Sequence, residues 1–175
     1  MVGRRHRART PQRTPTSLRF HFTQRFRAPA ATAFEWCIDY RPEDGAFFPE
    51  RHLRSVRWLG DDTAILTDTT FPKGSPLRIH RLVRIDREQL AWTNTHLDGP
   101  FVHSQYWYRV VPRGRNASAL EFTGHRLVWS VRSPPASVIR QLTEAERKAD
   151  STTWRTSIAP ALDRDLVRDR RTRNR

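Results

Sequence analysis

Short segments in which hydrophobic and polar residues alternate run through most of the chain. In residues 17–26, Phe20, Phe22 and Phe26 share one face with Gln24, and polar residues occupy the positions between them. A period of two predicts a half-buried β-strand, with Gln24 as the polar member of its apolar face.

Six further segments predict strands in the same way. They cover residues 53–59, 64–71, 77–85, 90–97, 101–111 and 120–129. Asp98-Gly99 is a typical two-residue hairpin turn between the fourth and fifth of these. That turn would pair Thr93 with Ser104 and Ala91 with Tyr106.

Helical periodicity occurs on both sides of this strand-rich region. Residues 30–40 follow Pro29, which suits a first helical turn, and residues 42–50 predict a second short helix ending in an aromatic pair. After two prolines, residues 137–167 predict one long helix with a kink near Pro160. The order of strand, two short helices, six antiparallel strands and long helix is an α+β arrangement.

The positive charge concentrates towards the ends of the sequence. The 175 residues contain 32 Lys plus Arg against 18 Asp plus Glu. Eight arginines and no acid lie in residues 1–27, whereas residues 28–163 hold 18 basic and 16 acidic side chains. We expect a disordered Arg-rich tail over residues 1–16, one domain over 17–166, and a basic tail over 167–175. Solubility with weak polyanion contact, or specific binding of nucleic acid or an anionic membrane, would both suit these tails.

The sequence has no motif for metal, nucleotide or covalent catalysis. Cys37 is the single cysteine, the seven histidines lack ligand spacing, and no glycine-rich nucleotide loop or Gly-x-Ser-x-Gly elbow occurs. We expect no cofactor and no metal, and we assign no catalytic residue. One free cysteine and short apolar runs predict a cytoplasmic protein without a transmembrane segment.

Several short motifs resemble the START-like superfamily, also called SRPBCC, which includes Bet v 1-type pollen proteins, polyketide cyclase/aromatases and lipid-transfer domains. The matching positions are Phe-Arg-Ala-Pro at 26–29, Phe34, Asp39, Phe-Pro at 48–49, and residues 110–114. The resemblance covers about residues 17–166. It implies a helix-grip fold, in which a seven-stranded antiparallel sheet wraps around the C-terminal helix and leaves a cavity between them. It implies no shared catalytic residues.

Strand alternation and this resemblance together select residues for the cavity wall. The candidates for ligand binding are Phe20, Phe22, Gln24, Arg81, Thr93, Ser104, Tyr106, Tyr108, Phe122 and Thr152. A slip of one residue in the fifth and sixth strands would instead bring in a second set, Trp92, Asn94, His103 and Gln105.

Arg81 is the clearest anomaly, because it shares the predicted inner face of its strand with aliphatic residues. A buried guanidinium requires a partner. A ligand carboxylate or phosphate would serve, as would an internal acid such as Asp68 or Glu121, and an edge position would let the side chain reach solvent.

Three functions are consistent with these features. The first is binding of a small hydrophobic molecule, of lipid, polyketide or isoprenoid type, between sheet and helix. The second is an enzyme similar to polyketide cyclase/aromatases, without metal or nucleotide, in which Arg81 and Tyr106 or Tyr108 polarise a carbonyl. The third is binding of nucleic acid or an anionic surface through the Arg-rich tails.

Overall fold

The seven predicted strands form one antiparallel sheet. The computed structural model describes residues 13–48 and 51–173, with side chains up to residue 166. The strands are β1 (Thr14–Phe26), β2 (His52–Gly60), β3 (Thr63–Thr70), β4 (Leu77–Asp86), β5 (Ala91–His96), β6 (Gln105–Pro112) and β7 (Ser118–Ser130). Their order across the sheet is β1-β7-β6-β5-β4-β3-β2, so β1 and β2 form the two edges.

Two short helices follow β1, and a long helical segment ends the chain, as predicted. The helix α1 spans Ala30–Ile38, a 3-10 helix spans Pro42–Phe47, and the C-terminal segment comprises α2 (Ala136–Thr153) and α3 (Ala159–Arg173). A π-helical turn, Trp154–Ile158, joins α2 to α3. Pro160 explains this turn, because proline has no N–H to donate and its ring crowds the carbonyl four residues earlier.

The longest strands, β1 and β7, pair along their whole length, from Thr14 opposite Ser130 to Phe26 opposite Ser118. Phe20 lies opposite Gly124, and a Cβ atom at Gly124 would lie 2.5 Å from the Phe20 ring. A glycine is therefore required there for the aromatic ring to lie against the neighbouring strand.

The core lies between the inner face of the sheet and the helices. Phe34 of α1, Leu66 of β3, Leu120 of β7 and Leu162 of α3 are completely buried. The inward positions of β1 carry Phe20, Phe22 and Phe26, and the alternation predicted for this strand is thereby confirmed.

The predicted hairpin between β5 and β6 is wrong in its register. Residues 97–104 connect the two strands, so Thr93 pairs with Trp107 and not with Ser104. Asp98 is the cause, because its carboxylate accepts the backbone N–H of His80 at 2.8 Å and contacts the His80 ring. This side chain ties the loop to β4 and replaces the expected two-residue turn.

The ends of the chain differ slightly from the predicted boundaries. The strand β1 begins at Thr14, within the predicted N-terminal tail, and α3 continues to Arg173, within the predicted C-terminal tail. Residues 1–12 of the expected tail, and Pro49 of the Phe-Pro motif, lie outside the described residues. Among the helices that the structure describes, none is long and apolar enough to cross a membrane.

Candidate functional site

A cavity of about 280 Å³ lies between the inner face of the sheet, the Pro42–Phe47 helix and the middle of the C-terminal helical segment. This volume is near the lower end of the range for small-molecule sites, about 300–1000 Å³. Most of its apolar wall is aromatic, and that wall includes Trp36, Tyr40, Phe47, Phe48, Trp92, Tyr108 and Trp154. The aromatic pair Phe47 and Phe48 at the end of the Pro42–Phe47 helix thus faces the cavity.

One end of the cavity is a cluster of charged side chains around Asp68. Asp68 accepts hydrogen bonds from His52 Nε2 at 2.7 Å and from Arg54 Nε at 2.9 Å, and it forms an ion pair with Arg81 Nη2. The antiparallel register of β2, β3 and β4 brings these inward-facing residues together. Asp44 of the Pro42–Phe47 helix lines the same end of the cavity and lies 3.7 Å from Arg54 Nη1. Two carboxylates therefore accompany the two guanidinium groups beside the cavity.

The protonation states of this cluster follow from burial. Burial, followed by the nearby Arg54 charge, lowers the pKa of Arg81 to about 10, and Arg81 therefore stays protonated at neutral pH. Burial, followed by the charges of Arg54 and Arg81, lowers the pKa of His52 to about 4. A neutral His52 therefore donates its Nε2–H to Asp68.

Two buried polar side chains of β5 line the cavity. Asn94 is 3% exposed and His96 is 8% exposed. Within the described part of the chain, Asn94 Oδ1 and His96 Nδ1 have no hydrogen-bond partner. Burial and the charges of Arg81 and Arg126 lower the pKa of His96 to about 3, so its imidazole is neutral. Buried polar atoms seldom stay unpaired in folded proteins, so these two atoms call for a partner.

The other polar end of the cavity is built around Arg126 of β7. Its Nε donates to the Tyr106 hydroxyl at 3.0 Å, its Nη1 bonds Glu146 of α2, and its guanidinium lies 4.4 Å from the centre of the Phe101 ring. Asp150 lies one helical turn beyond Glu146 and lines the same cavity. Burial raises its pKa from 3.8 to about 6, against the lowering effect of Arg126. Asp150 can therefore gain or lose a proton near neutral pH.

Three further titratable groups of the wall, Tyr40, Tyr108 and Cys37, hold their protons at neutral pH. Burial raises the pKa values of Tyr40, Tyr108 and the Cys37 thiol. The Tyr108 ring stacks on Trp92, with centroids 4.7 Å apart and an angle of 2° between the planes. The two tyrosines consequently offer hydroxyl donors on a rigid aromatic wall, and Cys37 is not a thiolate nucleophile.

Of the predicted ligand-binding residues, the structure places Arg81, Tyr106 and Tyr108 on the cavity wall. It also pairs Arg81 with Asp68, one of the two internal acids considered for it; the other, Glu121, is exposed on the opposite face of the sheet. Arg81 is therefore neither an unpaired charge nor an edge residue.

The other predicted residues lie away from the cavity wall. Phe20, Phe22 and Phe122 pack together in the core, where the rings of Phe22 and Phe122 stack at 4.5 Å. Gln24 donates to a backbone carbonyl, and buried Ser104 accepts the Leu127 N–H at 2.9 Å. Thr152 is half-buried beside the wall residue Thr153, and Thr93 points to the outer face of the sheet.

Most of the polar residues of the cavity wall were not predicted from the sequence. Trp92 and Asn94 of the second set do face the cavity, but His103 and Gln105 are exposed. The register error hid His96, which alternates with Trp92 and Asn94 along β5. Arg126 and Asp150 carry no local signal, because each becomes significant only when α2 is placed over β7.

Solved structures with the same architecture include several proteins of low sequence identity. Zhui aromatase/cyclase from Streptomyces sp. R1128 is 14% identical, with 86% of this chain and 96% of that chain covered at a TM-score of 0.69. A point mutant of norcoclaurine synthase from Thalictrum flavum, bound to a transition state analogue, is 12% identical. The match covers 89% of this chain and 99% of that chain, with a TM-score of 0.65.

A START superfamily protein from Mycobacterium smegmatis is 15% identical, with 77% of this chain and 94% of that chain covered at a TM-score of 0.56. No protein-family model and no curated protein sequence matches the chain. The structural likeness establishes the START-like, Bet v 1-type helix-grip fold, and the expected fold is confirmed.

Proposed function

We propose that this START-like protein binds a small aromatic molecule that carries an anionic or carbonyl oxygen, in the cavity between sheet and C-terminal helix. The observation that carries the proposal is the composition of the cavity wall. Aromatic rings provide stacking surfaces, and the guanidinium groups of Arg54 and Arg81, paired with Asp68 and Asp44, provide charged hydrogen-bond donors at one end of the cavity. An anionic or carbonyl oxygen of a ligand would accept hydrogen bonds from these donors.

The unpaired atoms of Asn94 and His96 support a ligand that also has a hydrogen-bond donor. Asn94 Oδ1 is an acceptor, and a neutral imidazole provides one donor and one acceptor. A lipid or isoprenoid chain would leave these atoms unpaired in a dry site, at a cost of about 1–3 kcal/mol for each group. A polar aromatic compound, such as a small polyketide, satisfies them.

The test is native mass spectrometry of the purified protein, followed by organic extraction of any retained compound. We expect an aromatic compound with a carboxylate, phenol or carbonyl group. Asn94→Ala should lose it, whereas Thr93→Ala should retain it, because Thr93 is the adjacent residue on the outer face of the same strand. Recovery of an aliphatic lipid, or equal retention by both variants, would contradict the proposal.

A second candidate function is cyclisation of the bound molecule, as in an aromatase/cyclase. Asp150 supports it, because a buried carboxyl group with a pKa near neutral pH can act as a general base and then as an acid. Asp150 would remove a proton beside a carbonyl group while Arg81 and Tyr108 stabilise the resulting enolate oxygen. The carbanion would attack a second carbonyl, and Asp150 would return the proton to the new alkoxide.

Extracts of the wild type and of Asp150→Asn separate the two functions. If the protein is an enzyme, Asp150→Asn should accumulate an uncyclised precursor that the wild type converts. Asp163→Asn is the control, because Asp163 lies on α3 outside the cavity wall. Identical compounds in all three proteins would support binding without catalysis.

A further inference from the structure

The solvent-facing side of the sheet carries a concentration of arginine. On the strands, the outward positions hold six arginines: Arg19, Arg25, Arg57, Arg78, Arg84 and Arg109. Asp86 and Glu121 are the acidic residues at outward positions of the described strands. We call this surface the outer arginine face.

The near-neutral charge of residues 28–163 conceals this surface, because a net charge adds residues from both faces of the sheet. The buried arginines of the inner face are paired, Arg54 and Arg81 with Asp68 and Arg126 with Glu146. Two of the arginines that the sequence assigned to the N-terminal region, Arg19 and Arg25, lie in β1 on the outer face.

The arginines of the outer face are available for a partner. Arg19, Arg84 and Arg109 are exposed, and no ion pair within the described residues involves them. Glu121 lies directly opposite Arg109 in the register but pairs with Arg113 at 3.4 Å, and Asp86 lies two residues from Arg84 along β4. Six arginines against these two acids leave the outward positions of the strands with a net positive charge.

An aromatic side chain lies in the middle of these arginines. Trp107 of β6 is 39% exposed, and its ring is stacked with that of His125 at 6.4 Å and 15°. Arg84 lies in the same row of the sheet, two strands away across Thr93, and Arg109 lies two residues along β6. Those separations are about 10 Å and about 7 Å between backbone positions, within reach of a long side chain.

We propose that the outer arginine face binds single-stranded nucleic acid, with a base stacked on Trp107 and phosphates bound by Arg84 and Arg109. Exposed bases stack on aromatic side chains, and arginine binds phosphate in a bidentate way. A membrane surface would attract the same charges, and the vesicle measurement below distinguishes it. Trp107 lies in mid-strand between Thr93 and Thr123, in one row with Arg84 and two residues from Arg109, which suits a base stacked between two bound phosphates.

This site is on the opposite side of the sheet from the cavity and does not depend on the proposed small-molecule function. It also differs from binding through the Arg-rich tails, because it is formed by strand residues. A variant of a strand residue can therefore test it in the full-length chain, where the tails are unchanged.

The experiment is fluorescence anisotropy of labelled 20-nucleotide oligo-uridine and oligo-thymidine with the full-length protein over a range of NaCl concentrations. Arg84→Gln and Arg109→Gln should each weaken binding several-fold and reduce the salt slope by about 0.7 for a lost phosphate contact. Arg140→Gln is the charge-matched control, because Arg140 is exposed on α2. Arg140→Gln should weaken oligonucleotide binding by less than about twofold, because an exposed charge away from the site makes only a weak non-specific contribution.

Trp107→Ala should weaken oligonucleotide binding about tenfold, the usual effect of losing one stacked base, and Trp107→Phe should restore most of it. Binding of inorganic polyphosphate, which has no bases, should not change in Trp107→Ala. Unchanged thermal unfolding would show that each variant is folded.

The proposal is overturned if Arg84→Gln and Arg109→Gln bind oligonucleotides as Arg140→Gln does. It is also overturned if Trp107→Ala weakens polyphosphate and oligonucleotide binding equally. Tighter, Trp107-dependent binding to phosphatidylglycerol vesicles than to oligonucleotides would replace nucleic acid with a membrane as the partner.

Discussion

Asp68 is the side chain on which the charged end of the cavity depends. It is the shared acceptor of Arg54, Arg81 and His52, and all four residues are largely shielded from solvent. Asp68→Asn keeps the shape but removes the counter-charge of buried Arg81 and leaves buried Arg54 with Asp44, at 3.7 Å, as its acidic partner. We expect the free energy of unfolding to fall by about 3–5 kcal/mol, measured by urea denaturation.

Asp62→Asn is the control for this experiment. Asp62 also pairs with an arginine, Arg87, at 3.0 Å, but both side chains are about half exposed. An exposed pair contributes about 0–1 kcal/mol, so this variant should be nearly as stable as the wild type. Equal losses in the two variants would mean that burial does not determine the importance of Asp68.

Asp150 predicts a specific dependence of stability on pH. Its pKa is raised from 3.8 to about 6 in the folded protein, so the folded state holds a proton that the unfolded state releases between these values. The free energy of unfolding contributed by Asp150 therefore falls as the pH rises through this window. Asp150→Asn should gain stability relative to the wild type between pH 4 and 7, by roughly 1–3 kcal/mol.

The wild type must be compared with Asp150→Asn because two histidines change the free energy of unfolding with pH in the opposite direction. His52 and His96 have pKa values lowered to about 4 and about 3, so their contributions to stability rise with pH up to their unfolded pKa near 6.5. Both histidines remain in Asp150→Asn, and the difference between the two urea-denaturation curves isolates Asp150. A difference that is constant with pH would contradict the raised pKa.

At the scale of the elements, the pairing of β1 with β7 depends on the absence of a side chain at Gly124. A methyl group there would overlap the Phe20 ring, which is only 4% exposed and has little room to move. We expect Gly124→Ala to lower the free energy of unfolding by about 1–3 kcal/mol. Gly60→Ala, in β2, is the control, because nothing lies within 4 Å of its Cβ position. A larger loss at Gly60 than at Gly124 would contradict this account.

The strands and helices could be predicted from the sequence because each has its own period of hydrophobic residues. The β5–β6 register could not, because it depends on a contact between Asp98 and His80 on another strand. The pattern identifies Asp98-Gly99 as a turn, and Gly99 does adopt a positive φ of 77°. The tertiary contact of Asp98, however, draws these residues into a longer loop.

The candidate site could be predicted only where one residue interrupts the hydrophobic pattern of its own strand. Arg81 was found because it interrupts an aliphatic face, and Asp68 was named as a possible partner. His96, Arg126 and Asp150 do not interrupt any pattern on their own elements. Burial, and after it charged or polar neighbours on other strands and on α2, sets their pKa values, and this environment exists only after folding.

Across the whole molecule, the sheet separates two kinds of charge. The inner face pairs arginines with buried acids around a cavity, and the outer face presents unpaired arginines to solvent. Strand alternation produces this separation, because successive residues such as Thr93 and Asn94 point to opposite sides. One sheet can therefore carry two binding surfaces that share a backbone and no side chain.

The two proposed sites should consequently be independent. Asn94→Ala removes a cavity group and Arg109→Gln removes an outer-face group, and the residues lie in adjacent strands on opposite faces. We expect Asn94→Ala to bind oligonucleotides with wild-type affinity, and Arg109→Gln to retain the cavity compound. Sites without shared partners usually combine additively to within about 0.5 kcal/mol, so the double variant should show only the two separate losses. A loss of oligonucleotide affinity in Asn94→Ala, measured by the same anisotropy assay, would instead mean that the occupied cavity alters the sheet and couples its two faces.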